Sequence, residues 1–143
     1  MKELCLKAFR SSPLIRNKAV EIATGYGMAG PVDSADGFEQ LARDSFIIID
    51  EPEELLIDPV LMFQKLDSGQ PIYGDCDDVA MFIACLTYAI GLPTRFKAVF
   101  QSSDGSYLHV FTEYLAGDRW IPVDATIQGI PVYDKGDCIT EVL

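Results

Sequence analysis

Apolar residues recur at helical spacing through most of the chain up to Ile90 and alternate at strand spacing beyond it. Ser12-Pro13-Leu14 opens a first helix carrying Lys18, Ala19, Val20, Glu21 and Ile22, and Gly25-Tyr26-Gly27 stops it. Pro31-Val32-Asp33-Ser34 supplies capping side chains for a second helix from about Ala35 to Asp44, with Phe38, Leu41 and Ala42 on one face. The continuous apolar run Phe46-Ile47-Ile48-Ile49 suits a buried strand or extended segment. Asp58-Pro59, a capping aspartate with proline in the first turn, starts a third helix through Val60, Leu61, Phe63 and Leu66 that ends before Ser68-Gly69.

A longer helix begins near Cys76 and runs through Val79, Phe82, Ile83, Leu86 and Ile90 before Gly91 and Pro93 end it. Its apolar face is broad enough to place it through the centre of the domain. Thr94 to Gln101 and Tyr107 to Tyr114 are rich in β-branched and aromatic residues around the turn-forming Ser102-Ser103-Asp104-Gly105-Ser106, which predicts a hairpin. Ala116-Gly117-Asp118-Arg119 turns into a third antiparallel strand, Trp120 to Asp124. The class is α+β: N-terminal helices and a central cysteine-bearing helix packed on an antiparallel sheet. After Thr126 only a final strand near Ile130-Pro131-Val132-Tyr133 is legible.

Composition narrows the class of molecule. A chain of 143 residues, 49% apolar, is the length of one compact domain, so residues 1–143 read as a single domain. The formal charge of −11 repels phosphate backbones and anionic lipid, which argues against nucleic-acid and membrane partners. The start, Met1-Lys2-Glu3-Leu4-Cys5-Leu6-Lys7, lacks the uninterrupted apolar stretch of an export signal, and no segment is apolar enough to span a bilayer. Four cysteines at 5, 76, 85 and 138 lack zinc-type spacing in a chain large enough to do without disulfides, so reduced thiols and a cytoplasmic location are expected, with no metal or other cofactor. Cys85 reads as a small buried hydrophobe, and Cys5 and Cys138 lack evident partners. The acidic stretch Asp50-Glu51-Pro52-Glu53-Glu54 is most simply a solvated loop, with calcium as a competing use.

Against that background one constellation carries chemistry. The sole histidine, His109, stands on a predicted strand after the helix-start Cys76 and before the strand-end Asp124. Thiol chemistry at neutral pH needs a base for the sulfur's proton and a third group to hold that base in one tautomer. A helix start surrounds the sulfur with free N–H groups and positive dipole, and the Cys76 amide is placed to bind an oxyanion. Gln70 or Tyr73 is a candidate second oxyanion donor. Asp75, Asp77 and Asp78 crowd the thiol with negative charge and must point away from it, Asp75 and Asp78 as a capping box. Trp120 fits a core aromatic better than a groove wall.

These residues carry a family resemblance. Gly74-Asp75-Cys76-Asp77-Asp78 with its apolar helix, Gly91-Leu92-Pro93-Thr94-Arg95, His109-Val110-Phe111-Thr112-Glu113 and Trp120-Ile121-Pro122-Val123-Asp124-Ala125-Thr126 resemble the core blocks of the transglutaminase-like superfamily over roughly residues 35 to 126. The resemblance implies a papain-like core with Cys76 as nucleophile, His109 as base and Asp124 as orienting residue, as in small bacterial and bacteriophage members described as cysteine proteases. It covers transglutaminases, peptidases, amidases and members without activity. The expected function is hydrolysis of a peptide or isopeptide bond through an acyl-thioester, on a protein or peptide substrate. The alternatives are acyl transfer to an amine, as in a transglutaminase, and a non-catalytic binding or assembly module. A structural zinc site is disfavoured by the irregular ligand spacing.

Overall fold

A computed structural model describes residues 1–25, 31–49, 56–100, 108–126 and 138–143. Along these residues the elements are α1 (Lys2–Ser11), α2 (Pro13–Gly25), α3 (Pro31–Ser45), β1 (Phe46–Ile48), α4 (Pro59–Asp67), β2 (Ile72–Gly74), α5 (Cys76–Ala89), β3 (Thr94–Phe100), β4 (Leu108–Ala116), β5 (Arg119–Val123) and β6 (Cys138–Val142).

Helix α5 organises the rest. Every residue from Asp78 to Thr87 is buried, the state expected of a helix apolar on all sides, and α1, α2, α3 and α4 all pack against it. Strands β3 and β4 pack against it as well. It ends where Gly91 adopts φ +83, a left-handed conformation that glycine takes without a Cβ penalty. The expected cap of α4 is present, with Asp58 accepting from the Val60 amide at 2.9 Å and Pro59 in the first turn.

The larger sheet is antiparallel in the order β5-β4-β3-β6. Alternation along β4 sends Val110 and Tyr114 into the core with Phe96, and the Thr112 hydroxyl donates to the Ala80 carbonyl of α5 at 2.7 Å. His109, Phe111 and Glu113 take the alternate positions, opposite Val99, Lys97 and Arg95 of β3. His109 stacks on Phe111 with ring centroids 5.8 Å apart, the shared face expected for those two.

Several elements differ from the sequence expectation. Helix α1 was not anticipated: it fully buries Cys5 and Ala8, packs Leu4 and Phe9 against the core, and carries charged residues at Lys2, Glu3, Lys7 and Arg10 between them. Strand β2 escaped notice too: it is three residues long and pairs in parallel with the distant β1. The 46–49 run is extended, but of its strand residues only Phe46 is buried, while Ile47 and Ile48 are exposed because nothing in the described residues covers that end of the pair. Strand β6 adds a fourth strand beside β3. Cys5 has a partner after all, since its sulfur donates to the Met81 carbonyl at 3.7 Å and hydrogen bonds Cys85, whose thiol that bond and burial push well above its usual range. The stop at Tyr26-Gly27, the acidic stretch at 50–54, the turn at 102–106, Tyr107 and the strand near 130–133 lie outside the described residues.

Candidate active site

Asp75 caps α5, accepting from the Asp77 amide at 3.1 Å and the Asp78 amide at 3.4 Å, while Asp78 Oδ2 returns to the Asp75 amide at 3.1 Å. That is the expected capping box. It consumes the second and third amides of the helix and leaves the Cys76 N–H without an acceptor among the described residues, free for an external oxygen. Asp78 is fully buried and its Oδ1 also takes the Ile57 amide at 2.9 Å, tying the entry to α4 onto the same helix start. The box packs so closely that a Cβ at Gly74 would stand 2.7 Å from Asp78 Oδ2 and 2.8 Å from its Cβ, so only glycine fits there.

His109 is buried, and its Nε2 lies 2.5 Å from Asp124 Oδ2. Burial alone would lower the imidazole pKa, but hydrogen bonds to Asp124 and to the Cys76 thiol, with their charges, outweigh it and raise the value from 6.5 to about 9. His109 is therefore protonated at neutral pH, and with Nε2 given to Asp124 its Nδ1 is the nitrogen left for the sulfur. Asp124 follows β5 directly. Burial pushes its pKa up, yet the bonds from His109 and Thr126 bring it below the usual carboxylate value. Thr126 contributes both its amide, at 2.8 Å, and its hydroxyl, at 2.6 Å, to Asp124 Oδ1. The two carboxylate oxygens thus have separate duties, one to the imidazole and one to the turn that fixes it.

The structure brings Cys76, His109 and Asp124 together. All four cysteines are free thiols. It does not bring Gln70 or Tyr73 to them: both side chains are exposed, and neither bonds Cys76 among the described residues. One charge expectation needs correction. Asp75 and Asp78 turn to the backbone as required, but the Asp77 carboxylate stays beside the sulfur, its Oδ1 accepting from Sγ at 3.8 Å.

Three supporting residues were missed. Thr126 had a local signal, a hydroxyl two positions after an aspartate. Thr112, whose bond to Ala80 sets the height of β4 against α5 one turn from Cys76, and Arg43, whose Nη2 donates to the Asp124 carbonyl at 3.3 Å, act across the fold and leave no mark in local spacing. Trp120 lies under Arg95, 4.2 Å from guanidinium carbon to ring centroid, and makes no contact with the triad among the described residues.

Residues 31–125 match the family described as the transglutaminase-like superfamily. The chain belongs to the transglutaminase-like superfamily. The crystal structure of a "Putative Cysteine Protease" from Cytophaga hutchinsonii has the same fold, with a TM-score of 0.61 at 15% identity over 90% of this chain. This chain spans 49% of that one, about half its length. No curated protein sequence matches it. No helix of the described residues is long and apolar enough to cross a membrane.

Proposed function

We propose that this transglutaminase-like protein is a cysteine-dependent amide-bond hydrolase, a peptidase or isopeptidase, with Cys76 as nucleophile, His109 as acid and base, and Asp124 as the group that orients His109. The observation that carries this reading is the buried imidazole held between a carboxylate and a thiol, with its pKa raised to about 9. Such a histidine is charged at neutral pH and can stand as the counter-ion of a thiolate.

In the proposed reaction Cys76 Sγ attacks the amide carbonyl, and the resulting oxyanion accepts from the Cys76 N–H. His109 gives its proton to the departing nitrogen, the C–N bond breaks, and an acyl-thioester remains on Cys76. Neutral His109 then takes a proton from water as the water attacks the thioester, and the Cys76 thiolate leaves as the acid is released. Hydrolysis is favoured over transfer to an amine because Cys76 is only partly buried, so water reaches the thioester. The substrate is read as a protein or peptide, and residues 1–143 as one domain with its core at 35–126.

Mass spectrometry tests this directly. Incubating the protein with a peptide library and trapping at low pH should leave an acyl group on Cys76 and none on the Cys76→Ala variant. Adding a primary amine separates the two outcomes: acyl-amine product in place of free acid would replace hydrolysis with transfer. No acyl adduct and a Cys76 no faster toward iodoacetamide than Cys138 would leave a module without turnover.

A further inference from the structure

A cavity of about 240 Å³ opens between the end of α3, β1, α5 and the residues after β5, lined by Ala42, Arg43, Phe46, Ile48, Val79 and Thr126, with Ala125 completing the wall. It flanks the proposed site from two directions. Val79 stands one helical turn beyond Cys76, and Ile48 pairs with Gly74, two residues before it. Ala125 and Thr126 directly follow Asp124, and Thr126 is the residue that holds Asp124 Oδ1.

The lining decides what could enter. Phe46 and Ile48 lie on one face of β1, two residues apart, and both turn into the cavity, Phe46 at its floor and Ile48 at its mouth with 52% of its surface exposed. Ala42, Val79 and Ala125 are apolar. The one charged residue, Arg43, is engaged by Glu39 at 3.2 Å and by the Asp124 carbonyl at 3.3 Å. Among the described residues no carboxylate lines the space to receive a cationic group, and the guanidinium already has an anionic partner. The volume is below the roughly 300–1,000 Å³ of sites for whole drug-sized ligands and equals about eight waters at ~30 Å³ each, which suits a single side chain.

We propose that this cavity is the specificity pocket of the enzyme and takes a neutral aliphatic or aromatic side chain of the acyl donor, beside the bond that Cys76 attacks. The proposal rests on the thiol-hydrolase reading of Cys76. Burying such a side chain positions the carbonyl against Sγ, and the wall it presses on is the turn that fixes Asp124.

The test uses N-acetyl amino-acid chloromethyl ketones carrying Gly, Leu, Phe, Lys or Glu beside the ketone, with Cys76 alkylation followed by mass spectrometry and each rate divided by the iodoacetamide rate of the same protein. The Leu and Phe reagents should label at least about tenfold faster than the Gly, Lys and Glu reagents. Ala42→Leu, which fills the cavity, should bring the Leu-to-Gly ratio close to one. Because Ala42 is fully buried, Ile48→Trp is the second variant, at an exposed position where folding is undisturbed, and should lower the same ratio. A flat reagent series on a Cys76 that iodoacetamide still labels quickly overturns the pocket alone, as does a Leu preference that survives both variants in folded protein. Slow iodoacetamide labelling of Cys76 overturns the enzyme reading and the pocket with it.

Discussion

On one face of β4, His109 and Glu113 each meet an opposite charge from a neighbouring strand or its end, His109 with Asp124 at 2.5 Å and Glu113 with Arg95 at 2.7 Å. Both are buried and both pairs are short, yet their chemistry differs. Glu113 sits between two cations, with Lys97 at 3.9 Å as the second, and Arg95 spreads its charge over Trp120. In the other pair His109 is itself the cation, a titratable one, and its remaining nitrogen meets a thiol. A buried ion pair becomes reactive when its cation can give up a proton to a neighbour that needs one; otherwise it is a strut.

Removing the imidazole should separate the two most sharply. His109→Ala should slow iodoacetamide labelling of Cys76 at pH 7 by about 100-fold or more, the usual scale for a lost acid-base partner, while Glu113→Gln leaves that rate within twofold. Equal effects of the two substitutions would erase the distinction.

The second probe is pH. The folded His109 pKa of about 9 lies above its ordinary 6.5, so the stabilisation it contributes is complete below pH 6.5 and is lost as pH rises through about 9. The shift corresponds to on the order of 3 kcal/mol. Asp124 is shifted down, so its contribution is present above the ordinary carboxylate value of 3.8 and is lost as pH falls through the lowered one. Urea unfolding across pH should therefore show an alkaline decline that His109→Ala removes and Glu113→Gln keeps.

Glu113→Gln should instead lower stability at neutral pH by about 2 kcal/mol, less than for a fully enclosed pair because Arg95 keeps a fifth of its exposure. A smaller effect is expected beside the sulfur. Asp77→Asn removes a carboxylate that opposes the thiolate and should speed Cys76 alkylation a few-fold, since a screened charge at this distance is worth about 1 kcal/mol. A slower reaction would mean that Asp77 assists the thiol.

What the sequence disclosed followed range of interaction. The Asp58 and Asp75 caps, the Gly91 stop and the strand period of β4 are local and were legible from spacing. The helix-start cysteine, strand histidine and strand-end aspartate were legible because each is marked by its own element boundary. Residues acting between distant elements were not: Thr112 on Ala80, Arg43 on Asp124 and Cys5 on Cys85 need the fold before they mean anything. Strand β2 was hidden for a related reason, since it exists only through a parallel neighbour, and the charges interspersed along α1 masked its apolar face.

The contact between Gly74 and Asp78 limits how this thiol could be transplanted. A designer who copied only cysteine, histidine and aspartate onto another scaffold would leave the helix start uncapped, and one who added the aspartates without the glycine would drive a methyl group into the carboxylate. The portable unit is the pentapeptide 74–78 together with the amide of Ile57 that closes it.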